Sequence, residues 1–146
     1  MSYWDTSTLV KLYAQEQDSS AFEAKAAAQT SALITSKIAL YEARATFRRK
    51  EAEGILPAGT AQTTYNELLQ DVAANDVRLI DLDATVEQDY GQVLNLCYQQ
   101  TPSLPLRTLD ALHLASARAS GETEIVATDK RLRDAAKLLG FTLFPA

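Results

Sequence analysis

Four carboxylates, Asp5, Glu42, Asp110 and Asp129, are the residues of this 146-residue chain best placed to do chemistry. Three fall at predicted strand ends or in the first turn of a predicted helix, and Glu42 interrupts an apolar helix face. Drawn into one pocket they repel each other, and without a cation one or more must hold a proton at raised pKa. A divalent ion removes that strain. An all-oxygen donor set selects Mg2+ or Mn2+, whereas zinc prefers histidine and cysteine, and the chain offers only His113 and Cys97 for that purpose. The expectation is a hard-metal site in an enzyme that acts on phosphate esters.

Taken singly, each acid has a plainer use. Asp5 follows the first strand and Asp129 ends the run IVAT, so either could simply cap the helix that comes next. Asp110 stands near the start of RTLDALHLASARAS, where the helix dipole favours an acid. That helix is apolar on almost every side and therefore central, so Asp110 needs a partner. Glu42 follows Ile38 by four residues and precedes Ala45 by three, on a stripe with Tyr41. That spacing puts it on the inward side, or at the stripe's edge beside a base such as Arg44.

Other groups could assist. Hydroxyls flank two of the acids: Thr6 and Ser7 after Asp5, Thr128 before Asp129. They can cap helices, or hold a carboxylate or a metal-bound water, with Ser7 and Thr128 the preferred pair for that role. Arg107, three residues before Asp110, is the first candidate to grip a phosphate. Arg49 lies two turns beyond Glu42 on one helix, in a basic run with Arg44, Arg48 and Lys50. That run is either a solvated face or a rail for a phosphate backbone. His113 fits best as a core histidine bonded to a backbone carbonyl, with a part in positioning Asp110 or a substrate as the alternative. Cys97, within LNLCY, is read as a small core residue.

The elements that must position these groups alternate. Strands are predicted at Ser2–Trp4, Leu33–Thr35, Val77–Leu82, Glu124–Ala127 and Thr142–Phe144. Helices are predicted at Ser7–Gln15, Ser20–Gln29, Lys37–Glu53, Pro57–Ala74, Ala84–Gln100, Thr108–Ser120 and Lys130–Leu139. Gly54, Gly121 and Gly140 are the stops. This order favours a parallel sheet covered by helices on both faces, a three-layer α/β domain. Ligands of such folds bind outside the carboxyl ends of the strands.

The chain has the size of one domain, residues 1–146, and can bury roughly 70% of the surface its unfolded form exposes. It is 47% hydrophobic and 23% charged, with a single cysteine, so an intrachain disulfide and a paired-cysteine zinc site are excluded. No basic, apolar leader opens it and no run approaches the ~20 apolar residues of a membrane span. A cytoplasmic protein with no membrane partner is expected. The net charge of −5 argues against broad nucleic-acid affinity, though not against a local basic path, and suits a basic protein partner.

The segments DTSTLVKLY, SKIALYEARA, RTLDALHLASA and ATDKRLRDAAKLLG, in this order and spacing, resemble the PIN-domain ribonucleases, in particular the VapC-type toxins of bacterial toxin–antitoxin pairs. The likeness runs from Asp5 to Phe144. It implies an α/β/α sandwich on a five-stranded parallel sheet, and metal-dependent endonucleolytic cleavage of RNA that leaves a 5′-phosphate and a 3′-hydroxyl. It implies that Asp5, Glu42, Asp110 and Asp129 are the family's acidic quartet, with Thr128 at its hydroxyl position. It also implies a homodimer, held inactive by a small antitoxin whose tail enters the acidic pocket. Two features depart from the family: Trp4 stands where an aliphatic residue is usual, and the overall charge is acidic.

Two alternatives stand beside this reading. Phosphatases of the haloacid-dehalogenase type also begin with an aspartate after the first strand, but they need a second acid two residues later, where this chain has Ser7. A PIN-like module that binds RNA or protein without cutting is the other.

Overall fold

The computed structural model describes all residues, 1–146. Its elements are β1 (Ser2–Trp4), α1 (Thr6–Leu9) running into a 3-10 turn (Val10–Leu12), α2 (Ser19–Ala27), β2 (Leu33–Ser36), α3 (Ile38–Ala52), α4 (Ala61–Ala73), β3 (Val77–Ile80), α5 (Ala84–Tyr98), α6 (Thr108–Ser120), β4 (Glu124–Val126), α7 (Lys130–Leu138) and β5 (Thr142–Phe144). All strand pairs are parallel, in the order β3-β2-β1-β4-β5. The expected α/β fold on a five-stranded parallel sheet is what forms.

Three residues suffice for β1 because it is the central strand and is paired on both edges. Side chains alternate across the sheet, and the register sorts them. Tyr3 stands level with Ile34 and Ile125 and packs with them under α5, α6 and α7. Trp4 stands level with Val126 and packs on Phe22 of α2. A separate apolar cluster joins Leu9, Ala43, Phe47 and Leu68 of α1, α3 and α4. Both faces are thereby covered.

Two helices differ from the prediction. The first ends early: the Ser19 hydroxyl donates to the Lys11 carbonyl at 2.8 Å, taking an acceptor that another helical turn would use. The fourth starts at Ala61 rather than Pro57, because Gly59 adopts a left-handed φ of 81° that breaks a helical path. Glu51 of α3 then accepts from the Ala61 amide at 2.8 Å.

Candidate active site

Asp5 follows β1 and Asp129 follows β4, its neighbour in the sheet. Glu42 lies in the second turn of α3, which leaves β2, and Asp110 in the first turn of α6. Four distant segments therefore deliver their acids to the carboxyl ends of the three middle strands. All four line one cavity of about 210 Å³, together with Thr6, Ser7, Arg107 and His113, and no apolar residue lines it. A larger cavity of about 330 Å³ between α5 and α6 holds none of these acids, and its charges, Asp89 and Arg118, pair with each other at 3.2 Å.

Glu42, Asp110 and Asp129 are each held through one oxygen, and Asp5 through both. Asp5 caps α1: its Oδ1 accepts from the Thr8 amide at 2.9 Å and the Thr8 hydroxyl at 2.7 Å. The Ser7 hydroxyl lies 3.0 Å from each Asp5 oxygen. Asp129 caps α7 through Oδ1, which accepts from the Leu132 amide at 3.0 Å. Glu42 Oε1 accepts from the Thr6 hydroxyl at 2.7 Å and lies 2.7 Å from His113 Nε2. Asp110 Oδ2 is 3.3 Å from Arg107 Nε. Capping and lining the cavity are thus not rival uses of Asp5 and Asp129, since each does both.

The surroundings push two of these acids apart. Burial raises the Asp5 carboxyl above its ordinary range, against the pull of His113 and of the Thr8 and Ser7 donors. Burial alone would raise Glu42 too, but the His113 hydrogen bond, with help from Thr6 and Arg107, brings it below the ordinary value.

The remaining expectations divide. Ser7 and Arg107 stand in the cavity. Thr128 does not: it is exposed and makes no side-chain hydrogen bond. Arg49 lines an adjoining cavity of about 220 Å³ and faces Glu53 at 4.0 Å. His113 corrects its assignment to a backbone carbonyl, for its partners are the Tyr3 hydroxyl, at 2.6 Å from Nδ1, and Glu42. The stripe proposed for α3 holds at Ile38 and is corrected at Tyr41, 67% exposed, and at Ala45, also exposed: the buried residues are Ile38, Ala39, Ala43, Phe47 and Lys50. Thr6, a candidate hydroxyl ranked behind Ser7 and Thr128, holds Glu42, and Tyr3, not among the candidates, holds His113. Tyr3 lies two residues before Asp5, the spacing of one strand face, and Thr6 sits directly after it.

The donor types suit a hard cation: four carboxylates, of which Glu42, Asp110 and Asp129 each have one oxygen with no protein donor, while the second oxygen of buried Asp5 only shares the Ser7 hydroxyl. As arranged, no three of the chain's acids, histidine or cysteine close on a single ion-holding point.

A family model described as PIN domain matches residues 2–138. No curated protein matches the chain in sequence. Among solved structures, VapBC2 from Rickettsia felis, bound to a DNA fragment from their promoter, contains a chain that aligns with a TM-score of 0.67 and 18% identity, covering 98% of this chain and 97% of that one. FitAcB from Neisseria gonorrhoeae aligns with a TM-score of 0.65 and 16% identity, covering 99% and 96%. At these identities the likeness is one of fold.

Proposed function

The chain belongs to the PIN-domain family, and from that we propose that it is an endoribonuclease dependent on Mg2+ or Mn2+, the toxin of a toxin–antitoxin pair, acting in the cytoplasm. The carrying observation is the meeting of Asp5, Glu42, Asp110 and Asp129 from four segments in one cavity with no apolar wall. The shared fold with VapBC2 and FitAcB supports the toxin reading. The family match leaves the dehalogenase-type phosphatase alternative without support.

The four acids would hold the ion. When bound, it supplies a water of lowered pKa and neutralises charge building on the phosphate. The rest of the work falls to the chain. Arg107, with its side chain 69% exposed at the cavity rim, is placed to take a non-bridging phosphate oxygen. Thr8 and Ser7 fix the Asp5 carboxylate, and the Leu132 amide fixes Asp129. No side-chain nucleophile is required, so water opens the phosphodiester and leaves a 5′-phosphate and a 3′-hydroxyl. A small antitoxin with a basic tail is the inhibitor that this acidic cavity and a net charge of −5 suit, and a homodimer is the expected assembly.

A second reading, a module that binds RNA or protein without cutting, is favoured by one observation: the acids do not close on a single point. Cleavage of an RNA panel by the full chain in Mg2+, with and without chelator, separates the two. Cleavage is expected in Mg2+ only, and Asp110→Asn should abolish it. Equal cleavage by Asp110→Asn, or in chelator, sinks the assignment.

A further inference from the structure

Within the reading above, and resting on it, the geometry assigns a role to two buried residues outside the quartet: we propose that His113 is a positioning residue for Glu42, with Tyr3 as its anchor. His113 is 3% exposed and Tyr3 is 1% exposed. The imidazole bridges them: Nδ1 lies 2.6 Å from the Tyr3 hydroxyl and Nε2 lies 2.7 Å from Glu42 Oε1. Thr6 closes a triangle, donating to Glu42 Oε1 at 2.7 Å while its oxygen lies 3.1 Å from Nε2.

The proton positions follow from the chemistry of the groups. The Glu42 carboxylate can only accept, so Nε2 carries a proton; in the neutral ring Nδ1 is then bare, and the Tyr3 hydroxyl donates to it. The ring proton sits on Nε2 and is shared between Glu42 Oε1 and the Thr6 oxygen. Both donors act on Oε1, so Oε2 is the Glu42 oxygen left without a protein donor in the cavity. A core histidine with no part in the site would satisfy itself on a nearby carbonyl. This one spans from the central strand to a carboxylate 71 residues away on another helix. Tyr3 shares a strand face with Asp5, and His113 follows Asp110 by one helical turn, so both supports rise from the same segments as two of the acids. Groups that orient metal-binding side chains in this way commonly set affinity by about tenfold or more.

The chain has one histidine, so a long-range proton–nitrogen spectrum of its imidazole reports this residue alone. The expected state is a protonated Nε2 and a bare Nδ1, with faster exchange of the Nε2 proton in Glu42→Ala. Mn2+ titration of the full chain gives the second readout. His113→Ala should weaken Mn2+ about tenfold, and Tyr3→Phe, which keeps the core ring and carries the test if His113→Ala does not fold, by a smaller factor. His113→Gln, which restores an N–H donor, should recover part of the loss. In a Glu42→Gln background neither Tyr3→Phe nor His113→Ala should weaken Mn2+ further. A proton on Nδ1, unchanged affinity in both variants, or equal losses in both backgrounds overturns the proposal and leaves the nuclease reading standing. Wild-type chain that takes up no Mn2+ overturns both.

Discussion

Two charged clusters share a wall in this molecule and are built on opposite plans. Thr6, Ser7 and Glu42 line both the acidic cavity and the groove beside it. In the groove, Lys11 meets Glu16 at 3.3 Å and Asp18 at 2.9 Å, and Lys50 meets the other Glu16 oxygen at 3.7 Å. Lys11 and Lys50 are each only 9% exposed, and two acids answer them. In the cavity, four acids face Arg107 as the one arginine or lysine among its walls. Burying charge is costly, and pairing is how a fold tolerates it. The groove has been balanced within the protein, tying the loop before α2 to α3. The cavity has been left with an excess of one sign, and an excess that the fold does not cancel is there for something else to cancel.

The sharpest way to break this contrast is Asp5→Asn. Asparagine caps a helix about as well as aspartate, so the α1 start survives while a charge leaves. Cleavage should fall to background, the largest effect foreseen here. Stability should move the other way. Burial raises the folded-state pKa of Asp5 above its unfolded value. Its contribution is therefore full below the unfolded value and is lost as pH rises through the folded one. At pH 7 in metal-free buffer the variant should melt above wild type, with the gap closing toward low pH. A variant that melts below wild type at pH 7 would mean that Asp5 is a structural cap and little more.

The groove predicts the reverse pairing of outcomes. Glu16→Gln leaves Lys50 without its anion and Lys11 with Asp18 alone. The cost should be about 1–2 kcal/mol, below that of a fully buried pair because Glu16 is partly solvated. Urea unfolding reads it, and cleavage per folded molecule should not change. Loss of activity without loss of stability would show that the groove belongs to the site.

The same contrast explains what could be read from the residues alone. The acids were legible because three of them begin helices after strands or near the sheet's carboxyl edge, and that spacing is local. The alternation of strands and helices was legible for the same reason, with Gly121 and Gly140 marking stops at left-handed φ of 78° and 91°. Partners were not legible. Tyr3 and His113 are 110 residues apart, and no periodicity carries that contact. The α3 face was read correctly at Ile38 and wrongly at Tyr41 and Ala45, and its buried Lys50 has no apolar signature. Thr128 and Thr6 both adjoin an acid, yet only Thr6 reaches the cavity. Thr6 follows its cap into the helix, where side chains tilt back toward the N-terminus, whereas Thr128 precedes its cap and stays outside.

A third charge pair, at the opposite edge of the sheet, sets the small end of the scale. Glu124 opens β4 level with Ser2 and accepts from the Ser2 hydroxyl, and Lys25 of α2 reaches it at 2.6 Å. Burial alone would raise its pKa, but the Lys25 and Ser2 bonds bring it below the ordinary value of 4.5. A depressed carboxylate contributes stability above its unfolded pKa and loses it as pH falls through the folded one. Glu124→Gln should therefore cost a few tenths of a kcal/mol at pH 7 and flatten the acid limb of the stability curve below about pH 4.5. Glu124 and Glu16 are similarly exposed, but Lys25 is 22% exposed against 11% for Lys11 and Lys50, so 1 M salt should remove most of the difference. Cleavage should be untouched. If this variant cost as much as Glu16→Gln, burial would not be what separates the groove from an ordinary surface pair. The excess of charge in the cavity would then have to be argued from its geometry alone.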